Sequence, residues 1–521
     1  MNDGNLSEEQ ETTHLAIPDF RVPPTSPSII ASGSGSPLAL PSDHLSIPSP
    51  SSIGHPASFS SSGTDEEGHP PNPPSVGFLD AKELGLLSHY ISHTSQIIPV
   101  DDLDLYALSV GVPNLALNCR CVMSSLIALA AACKSHDIAK HSQVALGPKD
   151  CMEIQELLAL AERHHTASLR HIQAAMQNLD SYDEILTNAA LMVLYASASH
   201  SIRVHLATTA KRSGQRLPHE ILPQNSQWIS FTRAAHMASS AVINDIVDSA
   251  HNRWTTSTNP IMNTGPEIPR AGLCSSNILS PQDGPSDNTK RLFLPLVAST
   301  YSRALEGLRK RVESIVAVLK ESELDPSSHS QLDASLETMS VLEKCAISAL
   351  PPRENNTNTQ PSATQPISIE QLTRVSPWVA KYMISVTSME SPQVLRRIIM
   401  SFLNKVAAEY LNLVQSVLDS PYIEGRADSW MTRDSESPGS EIPTLSATHV
   451  LAMDIFAHWL VLVMLLDGVW WIGDIGQWEL SQIMSLMKAQ NPLGQSADTG
   501  ETWWPETMYL VKRELTPNVR N

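Results

Sequence analysis

Cys119, Cys121, Cys133 and Cys151, with His136 and His141 among them, are the residue types that hold zinc. A compact structural zinc site sets paired ligands two to four residues apart on a rigid loop. The spacing here departs from that pattern and the surrounding residues are rich in alanine, which predicts small buried thiols along a helix. His164, His165 and His171 lie on one helical stretch, but the metallopeptidase pattern His-Glu-x-x-His needs two imidazoles one turn apart with a base between them. Glu162 precedes the pair instead, so surface or interhelical histidines are expected.

Two acidic clusters raise a different chemistry. Helical enzymes of the terpene-cyclase type hold magnesium and diphosphate between aspartates on facing helices. Asp101-Asp102-Leu103-Asp104 lacks the second spaced carboxylate of an Asp-Asp-x-x-Asp motif. Asn244-Asp245-Ile246-Val247-Asp248 has Asp248 in place of the expected Ser and Asn252 in place of the expected Glu. No Gly-x-x-x-x-Gly-Lys loop, Gly-x-Gly-x-x-Gly fingerprint or Gly-x-Ser-x-Gly elbow is present. The sequence therefore assigns no catalytic residue, no metal ligand and no cofactor.

The elements that would carry these residues are helical. Asp80 and Glu83 have the spacing of a capping box, and Leu84, Leu87 and Ile91 fall on one face. Pro113 to Lys140 opens with Pro at a first helical position. Met152 to Asn178 and Asp183 to Arg212, the second with an Asp cap, predict an antiparallel hairpin across Asp180-Ser181-Tyr182. Trp228 to Val247 follows. From Leu292 to Leu324, Tyr301, Leu305, Leu308, Val312, Ile315 and Leu319 alternate steps of four and three, the seam of helix-on-helix packing. That run is short for a coiled coil and favours packing within the domain, with a homodimer as the alternative. Helices resume over 369–388 and 391–419. No stretch has the period-two alternation and turn residues of strands, so the class is all-α.

Residues 1–77 are rich in Ser and Pro with Arg21 as their one basic residue, the composition of a disordered acidic tail. Polar loop insertions are expected near 251–289, 351–368 and 420–443, within a large multi-helix domain over 78–515. The net charge of −19 supplies no basic stripe for nucleic acid. Lys211-Arg212, Arg309-Lys310-Arg311 and Arg396-Arg397 are short clusters that read as solvated helix faces. Six thinly spread cysteines fit a reducing compartment. The apolar run Val450–Ile475 is interrupted by Asp454, His458, Asp467 and Asp474, which argues against a membrane span.

Six of the ten tryptophans (Trp459, Trp470, Trp471, Trp478, Trp503, Trp504) crowd the last apolar stretch and predict a packed helical end. Trp470-Trp471-Ile472-Gly473-Asp474-Ile475-Gly476-Gln477-Trp478-Glu479, followed by Trp503-Trp504-Pro505-Glu506, resembles the closing segment of the regulatory domain of fungal zinc-cluster transcription factors. Two earlier blocks are similar to that domain. One runs from Leu86-Leu87-Ser88-His89-Tyr90 through Val112-Pro113-Asn114-Leu115 to Leu126-Ile127-Ala128-Leu129. The other runs from His165 through Ser168-Leu169 to Leu191-Met192-Val193-Leu194-Tyr195-Ala196. In order, the three blocks span most of residues 80–515.

The resemblance implies a nuclear regulator of RNA polymerase II transcription acting through co-regulators, with a small-molecule effector as a further possibility. That family reads DNA through six cysteines beginning Cys-x2-Cys-x6-Cys, whereas no cysteine precedes Cys119. The resemblance therefore implies a regulatory domain whose DNA reader is absent, lost from the gene model or supplied by a partner. The alternatives are the terpene-cyclase-type enzyme and a non-catalytic adaptor.

Overall fold

Local chemistry sets the first helix. Asp80 adopts the extended backbone of an N-cap, its carboxylate accepts from the Glu83 amide, and Glu83 accepts in turn from the Asp80 amide, completing the expected capping box. In the computed structural model the described residues are 79–141, 146–175, 182–223, 226–237, 240, 284–321, 326–350, 375–387, 394–419, 445–490 and 502–515. All belong to one unit, Pro73–Asn521. The expected tail, most of the three expected insertions and Asn244–Asp248 lie outside them.

In chain order the principal helices are α1 (Ala81–His89), α2 (Asp102–Tyr106), α3 (Arg120–His141), α4 (Pro148–Ala175), α5 (Tyr182–Ser213) and α6 (227–237). They continue with α7 (Leu294–Glu321), α8 (Pro326–Ala349), α9 (Pro377–Thr387), α10 (Leu395–Met400), α11 (Ala408–Leu418), α12 (Ala447–Val463), α13 (Ile475–Gln490) and α14 (Trp504–Leu515). No strand occurs among the described residues, and the class is all-α.

Two helices organise the packing. α3 is buried without interruption from Cys121 to Cys133 and lies against α4 and α5, which touch each other far less than each touches α3. The expected hairpin is thus opened around a third helix. α12 is buried at every position from Leu451 to Leu466 and is contacted by α7, α8, α10, α11, α13 and α14. By length and hydropathy α3, α5 and Ala447–Leu466 could each cross a membrane, two more segments than the sequence reading picked out. In the fold, 78%, 89% and 89% of their apolar windows are covered by other helices.

Several expectations are corrected. Leu84 and Ile91 are 54% and 49% exposed, whereas Leu86 and Tyr90 are buried. The buried positions Leu86 and Tyr90 each fall one residue before the expected Leu87 and Ile91, and α1 continues as a π turn, Tyr90–Thr94, that carries Tyr90 and Thr94 inward. The helix expected from Pro113 is two, Val112–Asn118 and α3, because Cys119 is extended (φ −129°, ψ 115°). Asp183 lies inside α5 and binds another helix start: its carboxylate accepts from the Ser376 amide at 2.8 Å and from the Ser376 hydroxyl, just before α9. The stretch 391–419 breaks into α10, Phe402–Lys405 and α11, with Ala407 extended between the last two. The α7 seam packs inside the body against α8 and α12, with Tyr301, Leu305, Leu308 and Val312 buried.

Arg396 and Arg397 depart furthest from expectation. They are 7% and 6% exposed instead of forming a solvated face. Arg397 contacts the buried Asp104 carboxylate and lies 3.3 Å from Asp101. Arg396 donates to the Ile98 carbonyl at 2.6 Å and lies over the Trp471 ring, 4.6 Å from its centroid. Burial pushes the Asp104 carboxyl above the usual carboxylate range against the pull of Arg397 and Arg396. Asp101 is also the N-cap of α2, accepting from the Asp104 amide at 2.8 Å. The first acidic cluster is therefore engaged in holding α10 to α2. Breaking such a pair on one side leaves a buried charge uncompensated. Arg397→Met is expected to lower unfolding stability by about 3 kcal/mol, and Asp104→Leu added to it should recover part of the loss in denaturant titrations. Equal losses in the single and double variants would contradict this pairing.

Candidate functional site

Aromatic rings connect the core of α12 to a cleft. Trp459, fully buried, donates its indole N–H to the Ile399 carbonyl at 2.9 Å and stacks on Phe402 with centroids 5.1 Å apart and planes 20° apart. Trp228 of α6 also stacks on Trp459 at 6.4 Å and 16°, and His200 of α5 stacks on Trp228 at 5.7 Å and 19°. His200 then meets Glu479 of α13 through Nε2 at 2.8 Å, with both side chains buried. Offset ring contacts of this kind each contribute about 0.5–1.5 kcal/mol beyond area burial. A displacement of Trp228 therefore has direct mechanical contact with the core.

The turn between α12 and α13 packs against α5. Gly473 adopts φ +48°, where an L side chain is strained, and a Cβ there would meet the Ser201 hydroxyl of α5 at 2.8 Å. Ser201 donates to the Trp470 carbonyl at 3.2 Å. At Gly476 a Cβ would run into the backbone of Leu460 and Met464, so glycine permits α13 to approach α12 closely. These two glycines give the Trp470–Gly476 segment a physical reason for its residue types.

A shallow cleft lies between α4, α5 and α6, lined by Glu162, Tyr195, Ser199, His200, Arg203, Trp228 and Phe231, with about 30 Å³ of enclosed space. Tyr195 donates its hydroxyl to Glu162 at 3.0 Å. Burial raises the Tyr195 phenol well above its usual range, and the Glu162 charge adds to this. Arg203 spans to the Glu220 and Leu222 carbonyls, and burial lowers its pKa. The Trp228 indole N–H is buried and has no hydrogen-bond partner among the described residues. Behind the wall His165 is 1% exposed, packed 4.6 Å from Tyr195 and 4.8 Å from Phe231 between ring centroids, and neither of its nitrogens has a partner among the described residues. The Tyr195 hydroxyl and the His200 Nε2 are each engaged by a carboxylate. The enclosed space has room for a few water molecules at most, with the Trp228 ring and Glu162 at its edge.

The residues singled out from sequence are dispersed. Cys119, Cys121 and Cys133 are buried as expected, and Cys151 is half-buried on α4. Burial pushes the Cys133 thiol up to about 12, a Thr94 hydrogen bond acting in the opposite sense. His164 contacts Glu83 at 3.1 Å, while His171 is exposed and bonds the Ala167 carbonyl of its own helix. Of the cleft residues, Glu162, Tyr195 and Trp228 stand in the sequence analysis for other reasons, as does His165 behind the wall, and nothing there groups them. His200 and Arg203 carry no motif and Glu479 stands only as the end of the Trp470–Glu479 block, since only tertiary packing brings the three near Trp228.

The chain was compared with family models, curated proteins and solved structures, and none of them matches it.

The His165 imidazole has a testable signature. Burial lowers its pKa from 6.5 to about 4, so the neutral ring is the folded form. Its stability contribution is complete above the unfolded value of 6.5 and is lost as pH falls toward about 4. At most about 3 kcal/mol is involved. Denaturant titrations between neutral pH and pH about 4 should show a smaller acid loss for His165→Leu than for the parent chain; parallel losses would contradict the assignment.

Proposed function

We propose that this chain is the helical regulatory part of a fungal-type transcription regulator, working in the nucleus through protein contacts. A small-molecule effector belongs to this reading, with the shallow cleft beside Trp228 as its point of contact. The observation that carries this reading is that the three resembling sequence blocks meet in one core. The first block ends in α3, the second in α5, and the third occupies the turn after α12 and the starts of α13 and α14; Leu126, Tyr195, Trp470, Trp471 and Trp503 belong to one buried cluster. The ring column from Phe402 to His200 supports the effector part, because a ligand stacked on Trp228 would press on Trp459 and so on α12.

A net charge of −19 supports contact with proteins over contact with phosphate backbones. The acidic cluster at Asp101–Asp104, engaged by its cap and by two arginines, gives no support to a diphosphate-binding enzyme.

The test fuses the full chain to a heterologous DNA-binding module and reads a reporter in a fungal host. Reporter output is expected to change several-fold in either direction, with the chain accumulating in the nucleus, while the purified unfused chain leaves a DNA fragment unretarded at moderate salt. An unchanged reporter with an extranuclear chain would favour an adaptor unrelated to transcription. Tight sequence-selective retardation would contradict the charge argument.

A further inference from the structure

A second constellation lies away from the cleft, where the start of the helical body packs on α3. His89 ends α1 and His93 lies four residues on, in the π turn Tyr90–Thr94. Cys133 and Asp137 are one turn apart on α3 and so share a face. His89 Nε2 and His93 Nε2 stand 3.3 Å and 3.2 Å from the same Asp137 oxygen, and one ligand atom from each of the four residues lies within 4.8 Å of all the others. Bonds of about 2.0–2.1 Å from a tetrahedral ion to nitrogen and oxygen require ligand atoms roughly 3.3 Å apart, and a thiolate slightly farther. The two measured edges have that length.

The surroundings orient the ligands. The buried Thr94 hydroxyl bonds His89 Nδ1 at 3.1 Å, which turns Nε2 toward the shared centre, and it also bonds the Cys133 thiol. His136 Nδ1 lies 3.7 Å from the other Asp137 oxygen. The imidazoles meet edge to face with centroids 5.2 Å apart. The His93 side chain is 42% exposed and that of Asp137 27%, so an ion has a path from solvent. Two imidazoles, one thiolate and one carboxylate are a donor set for zinc, while the sulfur disfavours magnesium and calcium.

We propose that His89, His93, Cys133 and Asp137 form a tetrahedral zinc site that clamps the π turn after α1 onto α3. Binding displaces the Cys133 thiol proton to solvent and forms one metal–sulfur bond, with no change of oxidation state. The site is structural: four protein ligands close the coordination sphere. It is independent of the cleft and of the proposed regulatory role.

Cobalt(II) titration of the full chain after chelator treatment tests this. One equivalent should bind with visible absorption of a tetrahedral site and a thiolate-to-cobalt charge-transfer band, and zinc should displace it. Cys133→Ser should abolish the charge-transfer band with circular dichroism unchanged. His93→Ala, a change at a half-exposed position, should weaken affinity by at least about tenfold. The pair Cys119 and Cys121, whose sulfurs lie 3.0 Å apart near Glu184, is the one competing thiol group in the described residues. Its double replacement by alanine should leave the spectrum intact. Absence of saturable cobalt binding would overturn the proposal, as would a band that follows Cys119 and Cys121 and survives Cys133→Ser.

Discussion

A single carboxylate in the most apolar helix constrains much of this fold. Asp454 is 4% exposed in the middle of α12, whose surrounding window has a mean hydropathy of 2.0. A charge there is tolerable only if every partner is in place. Arg311 of α7 donates to it at 2.8 and 3.3 Å, and the Trp503 indole N–H at 2.7 Å. His458, one turn on, lies 3.3 Å away through Nδ1. Burial alone would raise the Asp454 carboxyl; His458 and Arg311 outweigh it and hold it well below the usual range. One residue therefore ties α7 and the segment entering α14 to the central helix.

The same device recurs wherever remote parts of the chain meet. Lys512 of α14 lies 2.9 Å from Asp467, which also accepts from the Ser286 amide and the Ser286 and Thr289 hydroxyls. This anchors Ser286 and Thr289, at the end of the expected 251–289 insertion. Arg397 with Asp104 and His200 with Glu479 join residues nearly three hundred positions apart. Buried ion pairs contribute little net stability compared with apolar replacements. Their effect here is on choice of arrangement: apolar helices rich in alanine and leucine can pack in many registers, and a buried charge rejects those that leave it unpaired. The cleft inherits this rigidity on two sides, through Glu479 behind His200 and Trp459 behind Trp228.

What the sequence made legible was local or repetitive. The Asp80–Glu83 capping box, the α7 seam and the tryptophan-rich end depend on spacings of a few residues, and each is present. What stayed hidden depends on tertiary partners. Arg396-Arg397 looks like any solvated basic pair until α10 packs against Asp104. Leu84 and Ile91 have the right period, but Tyr90 sets the buried stripe once the π turn begins, and π turns have no composition signal of their own. The cysteine-rich stretch was read along the chain, where its spacing is wrong for zinc. The spacings His89-x3-His93 and Cys133-x3-Asp137 were available, and each alone is too common to mean anything. Only the approach of α1 to α3 makes them one group. For the cleft, Trp228 was readable as a helix residue, while its role in the ring column required α5, α6 and α12 together.

The measurement closest to the central claim is native-state hydrogen exchange on the Asp454→Asn variant, which keeps the side-chain volume and removes the charge. If Asp454 ties α7 and α14 to α12, amides of Leu294–Glu321 and Trp504–Leu515 should lose protection together while those of α3 keep theirs. Protection unchanged in both segments, or lowered equally across α3, α7 and α14, would contradict it.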